Sequence, residues 1–403
     1  MESLTPAALS GVRVLDFSRV LAGPYCSMLL ADFGAEVIKV ENPQGGDDTR
    51  RWGPPWLEGE SAYYLSVNRN KRSICIDLKQ PRGLELARQL ASKADVLIEN
   101  FKVGAMDGYE LGYAELSKNH PGLVYCSLTG YGQNGPSSGL AGYDFIIQAE
   151  GGLMSISGPQ EGPPSKVGVA IVDITAGMFA SHAILAALHH RQRTGQGQYI
   201  DVALLDAQIG WLANVAENYL VSGKTPERHG NAHANIVPYE TFQTADGSLV
   251  LAVGNDRQYR RLCELCERPD LWEDTRFQSN PGRVENRRVL IPLLQDVFRQ
   301  RATADWIVVL HENGIPAGPI NDIPAALAHP QVLARGMLQQ AQRPAGRPVP
   351  LIGPVAKLSL TPARISSAPP RLGEQTRQIL RDELQLDDSE IEGLLRDGII
   401  SGP

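Results

Sequence analysis

One aspartate lies where an apolar run gives way to a helix, and its position suggests nucleophilic chemistry. Asp173 follows Gly168-Val169-Ala170-Ile171-Val172 and precedes Ile174-Thr175-Ala176-Gly177. An aspartate at such a point serves well as a helix N-cap. The helix dipole would also keep its carboxylate ionised near neutral pH, available as a nucleophile without a separate base. The two interpretations are compatible, and the residues alone leave both open.

A glycine-rich loop follows one of the apolar strands. Gly130-Tyr131-Gly132-Gln133-Asn134-Gly135 matches the GxGxxG pattern of dinucleotide-binding folds, which requires a helix directly after the loop. Pro136, two serines and Gly139 follow instead, so a loop that shapes a ligand pocket is favoured over an NAD site. The sequence contains no GxxxxGK[ST] motif, and ATP-driven chemistry therefore has no visible phosphate cradle.

Two clusters of basic residues could bind an anion. They are Arg50-Arg51 and Arg69-Asn70-Lys71-Arg72. Such clusters are often solvated surface, but after strand and helix elements they could hold the phosphates of an anionic cofactor. Both interpretations remain open on the residues alone.

Cysteine and histidine patterns give no metal or redox site. Cys263 and Cys266 form a CxxC pair within a helical pattern, with no second pair or nearby histidine, so ordinary helix positions are favoured. The histidines of the Thr175–His190 region lack an HExxH arrangement, and no GxSxG motif is present. The five cysteines are an odd, scattered set, typical of a reducing cytoplasm.

Composition narrows the class of protein. The chain has 403 residues, of which 42% are hydrophobic and 21% charged, which excludes collagen, a coiled coil and wholesale disorder. Its net charge of −7 argues against nucleic acid as the main partner. The N-terminus lacks the pattern of a signal peptide. Polar residues interrupt the most apolar stretch, 167–188, so we expect no membrane span and a cytoplasmic protein.

The elements that must position these residues alternate between strand and helix. Residues 12–17, 36–41, 96–98 and 123–128 have the apolar pattern of buried strands. A helix precedes Gly34, and Pro81 begins another. This alternation predicts an α/β fold with a Rossmann-like, doubly wound parallel sheet.

Changes in composition and in the pattern of predicted elements along the chain divide it into three segments. A large domain covers 1–223 and includes a long helix at about 175–190 and a strand at 199–203. A small α+β domain at 224–330 follows, with a hairpin at 241–253. Residues 331–403 are expected to return to the large domain, through a proline-rich extended segment and then helices, the last of them capped by Asp388 or Ser389.

Taken in order, several motifs resemble those of the family III CoA-transferases, over residue 10 to the C-terminus. The motifs are Leu15–Pro24, Gly34–Glu41, Asn70–Ser73, Glu99–Phe101, Gly130–Gly132, Gly142–Asp144, the Asp173 segment, Ile236–Tyr239 and Gly314–Ile320. The resemblance implies an enzyme with Asp173 as its catalytic residue, no metal and no tightly bound cofactor, since coenzyme A esters are the substrates. It also implies a homodimer in which two ring-shaped subunits interlock.

The mechanism implied by the resemblance is covalent. Asp173 attacks the thioester of a donor acyl-CoA, forming a mixed anhydride and releasing CoA thiolate. CoA then reaches the acceptor carboxylate through an aspartyl-CoA thioester. The exchange of thioesters is nearly isoenergetic, which agrees with the missing ATP motif. Residues matching the family's CoA groove are Arg19, Val20, Leu21, Lys71, Arg72, Asn100, Phe101 and Tyr143.

Within the family, the stretch from Arg228 to Phe242 is most similar to succinyl-CoA-dependent dicarboxylate transferases. The resemblance therefore implies succinyl-CoA as donor and an acceptor such as glutarate, hydroxymethylglutarate, itaconate, malate or citramalate. Candidates to bind the distal carboxylate are Arg50, Arg51, Arg228 and His233. The backbone N–H groups of Gly151 and Gly152 are candidate oxyanion donors.

Two other functions remain as alternatives. The family includes 2-methylacyl-CoA racemases, which need a His–Asp pair, but this chain has Tyr143 where the racemase pattern has histidine. The second alternative is a CoA-binding protein without catalytic activity. The presence of Asp173 argues against this alternative.

Overall fold

Short runs of aliphatic and β-branched residues form the strands of the fold. The computed structural model describes residues 6–403. Its strands are β1 (Arg13–Asp16), β2 (Glu36–Glu41), β3 (Trp56–Leu57), β4 (Glu60–Ser61), β5 (Lys71–Ile76), β6 (Val96–Glu99), β7 (Val124–Thr129), β8 (Tyr199–Ala203), β9 (Tyr239–Gln243), β10 (Ser248–Ala252), β11 (Ala317–Pro319), β12 (Leu338–Ala341), β13 (Val349–Ile352) and β14 (Ile400–Ser401).

Helices connect most of these strands. They are α1 (Ala22–Asp32), α2 (Ala62–Val67), α3 (Pro81–Ala91), α4 (Ala105–Gly108), α5 (Tyr113–Asn119), α6 (Asp144–Glu150), α7 (Leu153–Ile156), α8 (Ile171–Thr194), α9 (Leu204–Gly210), α10 (Ala213–Ser222), α11 (Asp256–Leu265), α12 (Pro269–Glu273), α13 (Asn280–Glu285), α14 (Arg287–Phe298), α15 (Thr303–Glu312), α16 (Ile323–Leu327), α17 (Pro330–Ala334), α18 (Thr376–Leu384) and α19 (Asp388–Arg396). A 3₁₀ helix covers Asp48–Arg51.

The central sheet has seven strands in the order β14-β5-β2-β1-β6-β7-β8. All neighbours pair in parallel except the short β14, which runs antiparallel to β5. Parallel sheets of this kind need covering on both faces, because each strand buries both sets of its side chains. The predicted α/β class with a predominantly parallel sheet is confirmed.

Alternate residues of each strand supply two cores, one on each face of the sheet. On one face, Val14, Ile98 and Cys126 pack with α1 and α8. On the other face, Leu15 and Leu97 pack with α3 and with the C-terminal helices α18 and α19. The C-terminal residues therefore complete the hydrophobic core that the first strand begins.

The chain divides into two compact units. The larger comprises residues 6–151, 168–211 and 330–403, and the smaller comprises 152–167 and 212–329. The sequence placed the boundaries at 223/224 and 330/331, and did not assign 152–167 to the smaller unit. Helix α10 accounts for part of the difference, because it has no buried residue within the described chain and carries little hydrophobic signal for either side.

The smaller unit has its own hydrophobic core. Strands β9, β10 and β11 form an antiparallel sheet, and apolar residues of α11, α14 and α15 pack with it. The predicted hairpin at 241–253 corresponds to β9 and β10. Cys263 and Cys266 are buried free thiols in this core, where burial raises the pKa of Cys263 to about 11 and that of Cys266 to about 12.

Helix α8 begins four residues earlier than the sequence predicted and is the longest helix described. In residues 6–403 it is also the one helix long and apolar enough to cross a membrane by length and composition, with a mean hydropathy of 1.7, whereas we had expected none. One such helix is weak evidence, because core helices pass the same test. Val172, Ala180 and Ile184 of α8 are fully buried in the core, although only 39% of its apolar window is buried.

Strand β5 was not predicted. Its first residue, Lys71, belonged to a cluster that the sequence suggested as an anion site, but the strand pairs with β2 in parallel, with Lys71 opposite Val37. The final helix differs by one residue, since its N-cap is Asp387, which forms a capping box with Glu390.

Candidate active site

A cleft of about 330 Å³ lies beside the loops that follow β1, β6 and β7. The carboxyl ends of parallel strands are the usual place for a ligand in open α/β sheets. We call it the Asp173 cleft. It brings together seven residues that the sequence singled out, which are Arg19, Val20, Leu21, Asn100, Phe101, Tyr143 and Asp173.

Asp173 lies in the first turn of α8, and it is not the N-cap. That position belongs to Ala170, which provides no side-chain cap. The carboxylate of Asp144 takes the role instead, because its Oδ2 accepts the N–H groups of Val172 at 2.8 Å and of Asp173 at 3.3 Å. Asp144 is a residue whose role the sequence did not show, since it lies 29 residues away from Asp173 along the chain.

The carboxyl of Asp173 is harder to ionise than the sequence suggested. Burial is the main cause, and the nearby carboxylate of Asp144 adds to it, so that the pKa of Asp173 rises to about 7. The expectation that the helix dipole keeps it ionised near neutral pH is therefore wrong. Removal of water from a carboxylate outweighs the dipole here, and close to pH 7 the carboxyl of Asp173 is partly protonated.

Tyr63 is a further side chain of this site that sequence patterns did not reveal. Burial raises the pKa of its phenol to about 12, with smaller contributions from the charges of Asp173 and Asp144. The ring of Trp52 contacts that of Tyr63 edge to face, with centroids 5.2 Å apart. A tyrosine with this pKa stays protonated at neutral pH and can donate a hydrogen bond.

The loop that carries Arg19 and Val20 is held in an uncommon conformation. Val20 has φ +71°, which is strained for a β-branched residue. Its N–H donates to Asp47 at 3.2 Å. Asn100 accepts the N–H of Arg19 at 2.9 Å and donates to its carbonyl at 2.7 Å. These bonds compensate for the strain and fix the loop against β6.

Buried charges beneath this loop support it. Lys39 is fully buried, pairs with Asp47 at 2.9 Å and donates to the carbonyl of Ser18 at 2.7 Å. Burial opposes the charge of Lys39, but the neighbouring carboxylates, Asp47 first, hold its pKa above the ordinary value. Removal of either partner would leave an uncompensated buried charge.

Lys71 and Arg72, which the resemblance assigned to the CoA groove, lie elsewhere. Lys71 is buried and donates to Asn68 at 2.9 Å and to Asp16 at 3.3 Å. Arg72 lies 3.5 Å from Glu383. Neither lines the Asp173 cleft, so this geometry does not fit direct contact of either cation with CoA. Membership of β5 is the reason, because it turns Lys71 toward the interior.

The candidate residues of the larger unit for binding the acceptor substrate also have hydrogen-bond partners within the protein. Arg50 is buried and binds both oxygens of Glu41, at 2.7 and 2.8 Å, which does not fit a free substrate cation. Gly151 donates its N–H to Ile147 at 2.7 Å, so this N–H does not fit an oxyanion donor. Arg51 is exposed and contacts only the carbonyl of Gln44 among the hydrogen bonds described.

The other three candidates lie in the smaller unit, and their roles stay predictions. Arg228 donates to the carbonyl of Gly162 at 2.8 Å and, more weakly, to those of Pro159 and Ser155. The Nδ1 atom of His233 accepts the N–H of Asn235 at 3.0 Å. Gly152 has φ +83°, where glycine is favoured.

A second pocket, of about 520 Å³, shares Arg19 and Phe101 with the Asp173 cleft. We call it the adjoining pocket. Asn42 and Gln44 line it, and Lys79 supplies a cation. The sequence reasoning missed Lys79, because an isolated lysine after a strand gives no signal. Within residues 6–403, no group of three or more His, Cys, Asp or Glu side chains could hold a metal.

Comparison with known proteins agrees with this geometry. The model of CoA-transferase family III matches residues 9–376. A half-buried carboxylate beside a two-part groove fits an enzyme that transfers an acyl group or CoA. The chain belongs to CoA-transferase family III and is a CoA-transferase.

Three similar proteins are particularly informative. The chain is 45% identical to the succinyl-CoA:glutarate CoA-transferase of Mus musculus, over 99% of this chain and 91% of that protein. It is 48% identical to the succinate–glutarate CoA-transferase of Agrobacterium fabrum, over 93% and 95%. A crystal structure of a CaiB/BaiF family protein from Brucella suis matches with a TM-score of 0.84 and 45% identity, covering 94% of this chain and all of that one.

Proposed function

We propose that the protein transfers CoA from succinyl-CoA to a small dicarboxylate. Acceptors of this class include glutarate, hydroxymethylglutarate, itaconate, malate and citramalate. The observation that carries the proposal is the position of Asp173, a half-buried carboxylate in a cleft that shares Arg19 and Phe101 with a second, larger pocket. Similar proteins named for succinyl-CoA and glutarate support the donor and acceptor class.

The reaction proceeds through three covalent forms of Asp173, which are a mixed anhydride with succinate, a thioester with CoA and a mixed anhydride with the acceptor. The ionised carboxylate attacks the succinyl thioester carbonyl, forming a mixed anhydride and expelling CoA thiolate. The thiolate attacks the aspartyl carbonyl, which releases succinate and leaves an aspartyl-CoA thioester. The acceptor carboxylate then attacks that thioester, and the released thiolate finally attacks the acceptor's acyl carbonyl, regenerating Asp173. Each step exchanges one activated acyl group for another, so no further co-reactant is needed.

The CoA ester spans the two pockets. Its thioester end occupies the Asp173 cleft, and its nucleotide occupies the adjoining pocket, which has the larger volume. Arg19 lines both and Lys79 lines the second. Of the carboxylates that also line the second pocket, Glu41 and Asp47 are already paired with Arg50 and Lys39. Local cations of this kind can bind a polyanionic ligand although the net charge of the chain is −7.

A panel of acceptors tests the proposal. Incubation with succinyl-CoA and each dicarboxylate should give a new CoA ester and one equivalent of succinate, measured by mass spectrometry. Asp173→Ala should abolish turnover with an unchanged circular dichroism spectrum, whereas Asp206→Ala, on the exposed side of α9, should keep it. Succinate without a new CoA ester would indicate hydrolysis and contradict the proposal.

The protein is proposed to act in the cytoplasm as an interlocked homodimer. In the larger unit, α6, α8 and α9 expose large apolar side chains, which are Phe145, Ile146, Met178, Phe179 and Ile209. Contiguous exposed apolar surface of this kind usually marks a protein interface. A second copy of the chain is the proposed occupant, as the family resemblance implies.

Light scattering after size-exclusion chromatography tests the assembly. The wild-type protein should have the mass of two chains, and Phe179→Glu should lower the fraction of dimer or make the protein aggregate. Val308→Glu, at an exposed apolar position of α15 in the smaller unit, is the control and should leave the mass unchanged. A monomeric wild-type protein would contradict the proposal.

A further inference from the structure

Three polar residues form a row across the sheet next to the Asp173 cleft. Glu99 pairs with Ser127 across β6 and β7, and Ser127 pairs with Asp201 across β7 and β8. They share one face of the sheet, because alternate residues of a strand point to opposite faces. Glu99 is 5% exposed and Ser127 is fully buried. Such buried polar groups in a parallel sheet are costly unless hydrogen-bonded.

The glycine-rich loop covers this row. Gln133 donates through its side chain to the hydroxyl of Ser127 at 2.8 Å and through its backbone N–H to Asp201 at 3.0 Å. The same loop leads into residues 138–143, which line the Asp173 cleft. Gly130 and Gly142 lie so close that a Cβ on Gly130 would be 2.5 Å from the Cα of Gly142. The row therefore anchors one wall of the cleft.

Glu99 anchors the opposite wall. Its Oε2 accepts the N–H of Phe101 at 2.8 Å, and the Ser127 hydroxyl also hydrogen-bonds its carboxyl. The ring of Phe101 lies 5.5 Å from the guanidinium of Arg19. Asn100, between Glu99 and Phe101, is the residue that fixes the backbone of Arg19. The carboxylate of Glu99 is thus connected to both walls of the Asp173 cleft.

The charge of Glu99 has little compensation. No ion pair to Glu99 occurs among the residues that the structure describes, and the charges that act on it most are those of Asp107 and Asp201. Lys102, Tyr113, Tyr125 and Tyr199 line the same cavity of about 250 Å³ beside it. Burial is the main reason that the pKa of Glu99 is raised to about 7, with the two aspartates adding to the effect.

We infer that Glu99 is a positioning residue for the CoA ester: its carboxylate fixes Phe101 and Arg19 in the binding conformation, and its protonation weakens CoA binding. A protonated carboxyl is a poorer acceptor for the Phe101 N–H than a carboxylate. The inference rests on the proposed location of the CoA groove. It adds a second titrating group to the site, one that acts on binding and does not touch the reacting atoms.

Binding of free CoA, measured by calorimetry between pH 5.5 and 8.5, tests the inference. All proteins carry Asp173→Asn, because Asp173 itself titrates near pH 7. In that background the Kd for CoA should rise severalfold as pH falls through 7. Glu99→Gln should make the Kd much less dependent on pH, since the amide oxygen still accepts the Phe101 N–H and does not titrate. The dependence that remains should be that of the phosphate monoester of CoA, whose second pKa is about 6. An unchanged pH dependence in Glu99→Gln would overturn the inference.

Kinetics with Asp173 intact provide the second measurement. Glu99→Ala should raise KM for succinyl-CoA about tenfold and change kcat about twofold or less, because the reacting groups remain in place. Asp107→Asn is the matched control, since it removes a charge from the same cavity without contact to the Phe101 N–H, and it should leave KM at high pH unchanged. A fall in kcat at constant KM would contradict a positioning role.

The variant Arg19→Ala distinguishes a failure of the inference about Glu99 from a failure of the proposed location of the CoA groove. If Arg19→Ala binds CoA as tightly as the parent protein, the groove itself is misplaced. If Arg19→Ala weakens binding and Glu99→Ala does not, the groove stands and the role of Glu99 is refuted.

Discussion

At the scale of single residues, the environment of Asp173 determines when its carboxyl is ionised and can act as the proposed nucleophile. The carboxyl has a pKa of about 7, mainly through burial, so its ionised fraction grows as pH rises through neutrality. Only the carboxylate is nucleophilic. The same desolvation makes the ionised form reactive, because water no longer stabilises it.

The like charge of Asp144 should be visible in the pH profile. Asp144→Asn keeps an oxygen to accept the Val172 N–H but removes the charge that helps to raise the pKa of Asp173. The acid limb of kcat/KM should therefore move to lower pH, with a severalfold higher ratio of activity at pH 6 to activity at pH 8. Glu150→Gln, at the end of the same helix, is the control and should leave the limb in place. If the acid limb of kcat/KM stays at the same pH in Asp144→Asn, burial alone sets the pKa of Asp173.

Asp173 should also reduce the stability of the folded protein at high pH. Its pKa is about 7 when folded, against an ordinary value of 3.8, so the unfolded chain loses the proton first and stability falls as pH rises between these values. Asp173→Asn removes this cost. Its free energy of unfolding should exceed that of the wild type by about 2 to 4 kcal/mol above pH 7, and by much less at pH 4. Urea denaturation at both pH values checks this, and a pH-independent difference would count against it.

At the scale of elements, the loop between β1 and α1 lines both pockets proposed to bind the CoA ester. Asn100, which follows β6, holds the backbone of Arg19, and Asp47 accepts the N–H of the strained Val20. Gly23, at the start of α1, permits the close turn, because a Cβ there would lie 2.2 Å from that of Ser18. The loop therefore has little freedom to adopt another conformation.

Gly23→Ala should displace this loop. We expect KM for succinyl-CoA to rise more than tenfold, because the added methyl group must push Ser18 and hence Arg19 away. Gly393→Ala is the matched control in the same unit. Its nearest neighbour is the end of the Arg396 side chain at 4.0 Å, and it should leave KM unchanged while stabilising α19 by about 0.5–1 kcal/mol. Normal KM in Gly23→Ala would show that the loop can relax without loss of binding.

At the scale of the whole molecule, two units with separate cores imply two regions of stability. In the smaller unit, the fully buried side chain of Arg283 connects several elements through hydrogen bonds. It donates to the carbonyls of Val237 at 2.7 Å and Phe277 at 2.9 Å, and to Asp256 at 2.8 Å. The guanidinium also lies over the ring of Tyr259.

Arg283→Met should destabilise the smaller unit selectively. It leaves the carbonyls of Val237 and Phe277 without their donor, at a cost of about 1–3 kcal/mol for each unsatisfied buried group, whereas Asp256 is half exposed and can be solvated. Hydrogen exchange should show faster exchange in peptides of β9, β10 and α11, with little change in β1, β6 and β7. Arg276→Met, at an exposed ion pair with Asp274, should alter neither region. Equal loss of protection in both units would show that they unfold together.

Much of this molecule follows from local sequence patterns. Apolar periodicity predicted β1, β2, β6, β7 and β8 close to their observed bounds, because a buried parallel strand needs a continuous run of apolar residues. The change from apolar run to helix drew attention to Asp173. The resemblance of the motifs around 15–24, 99–101 and 142–144 to those of the family implied the residues that the cleft brings together. The first two motifs extend beyond the ends of β1 and β6, and the third leads into α6.

The tertiary structure decided what those residues can do. The sequence determined the α/β class, the candidate nucleophile and most of the cleft, because these depend on neighbours along the chain. It did not determine that Lys71 is buried and Lys79 accessible, that Asp144 caps α8, or that Glu99 lies beside Ser127 and Asp201. Those facts depend on strand pairing and burial between residues far apart in sequence, and burial is also what moves the pKa of Asp173 to neutrality.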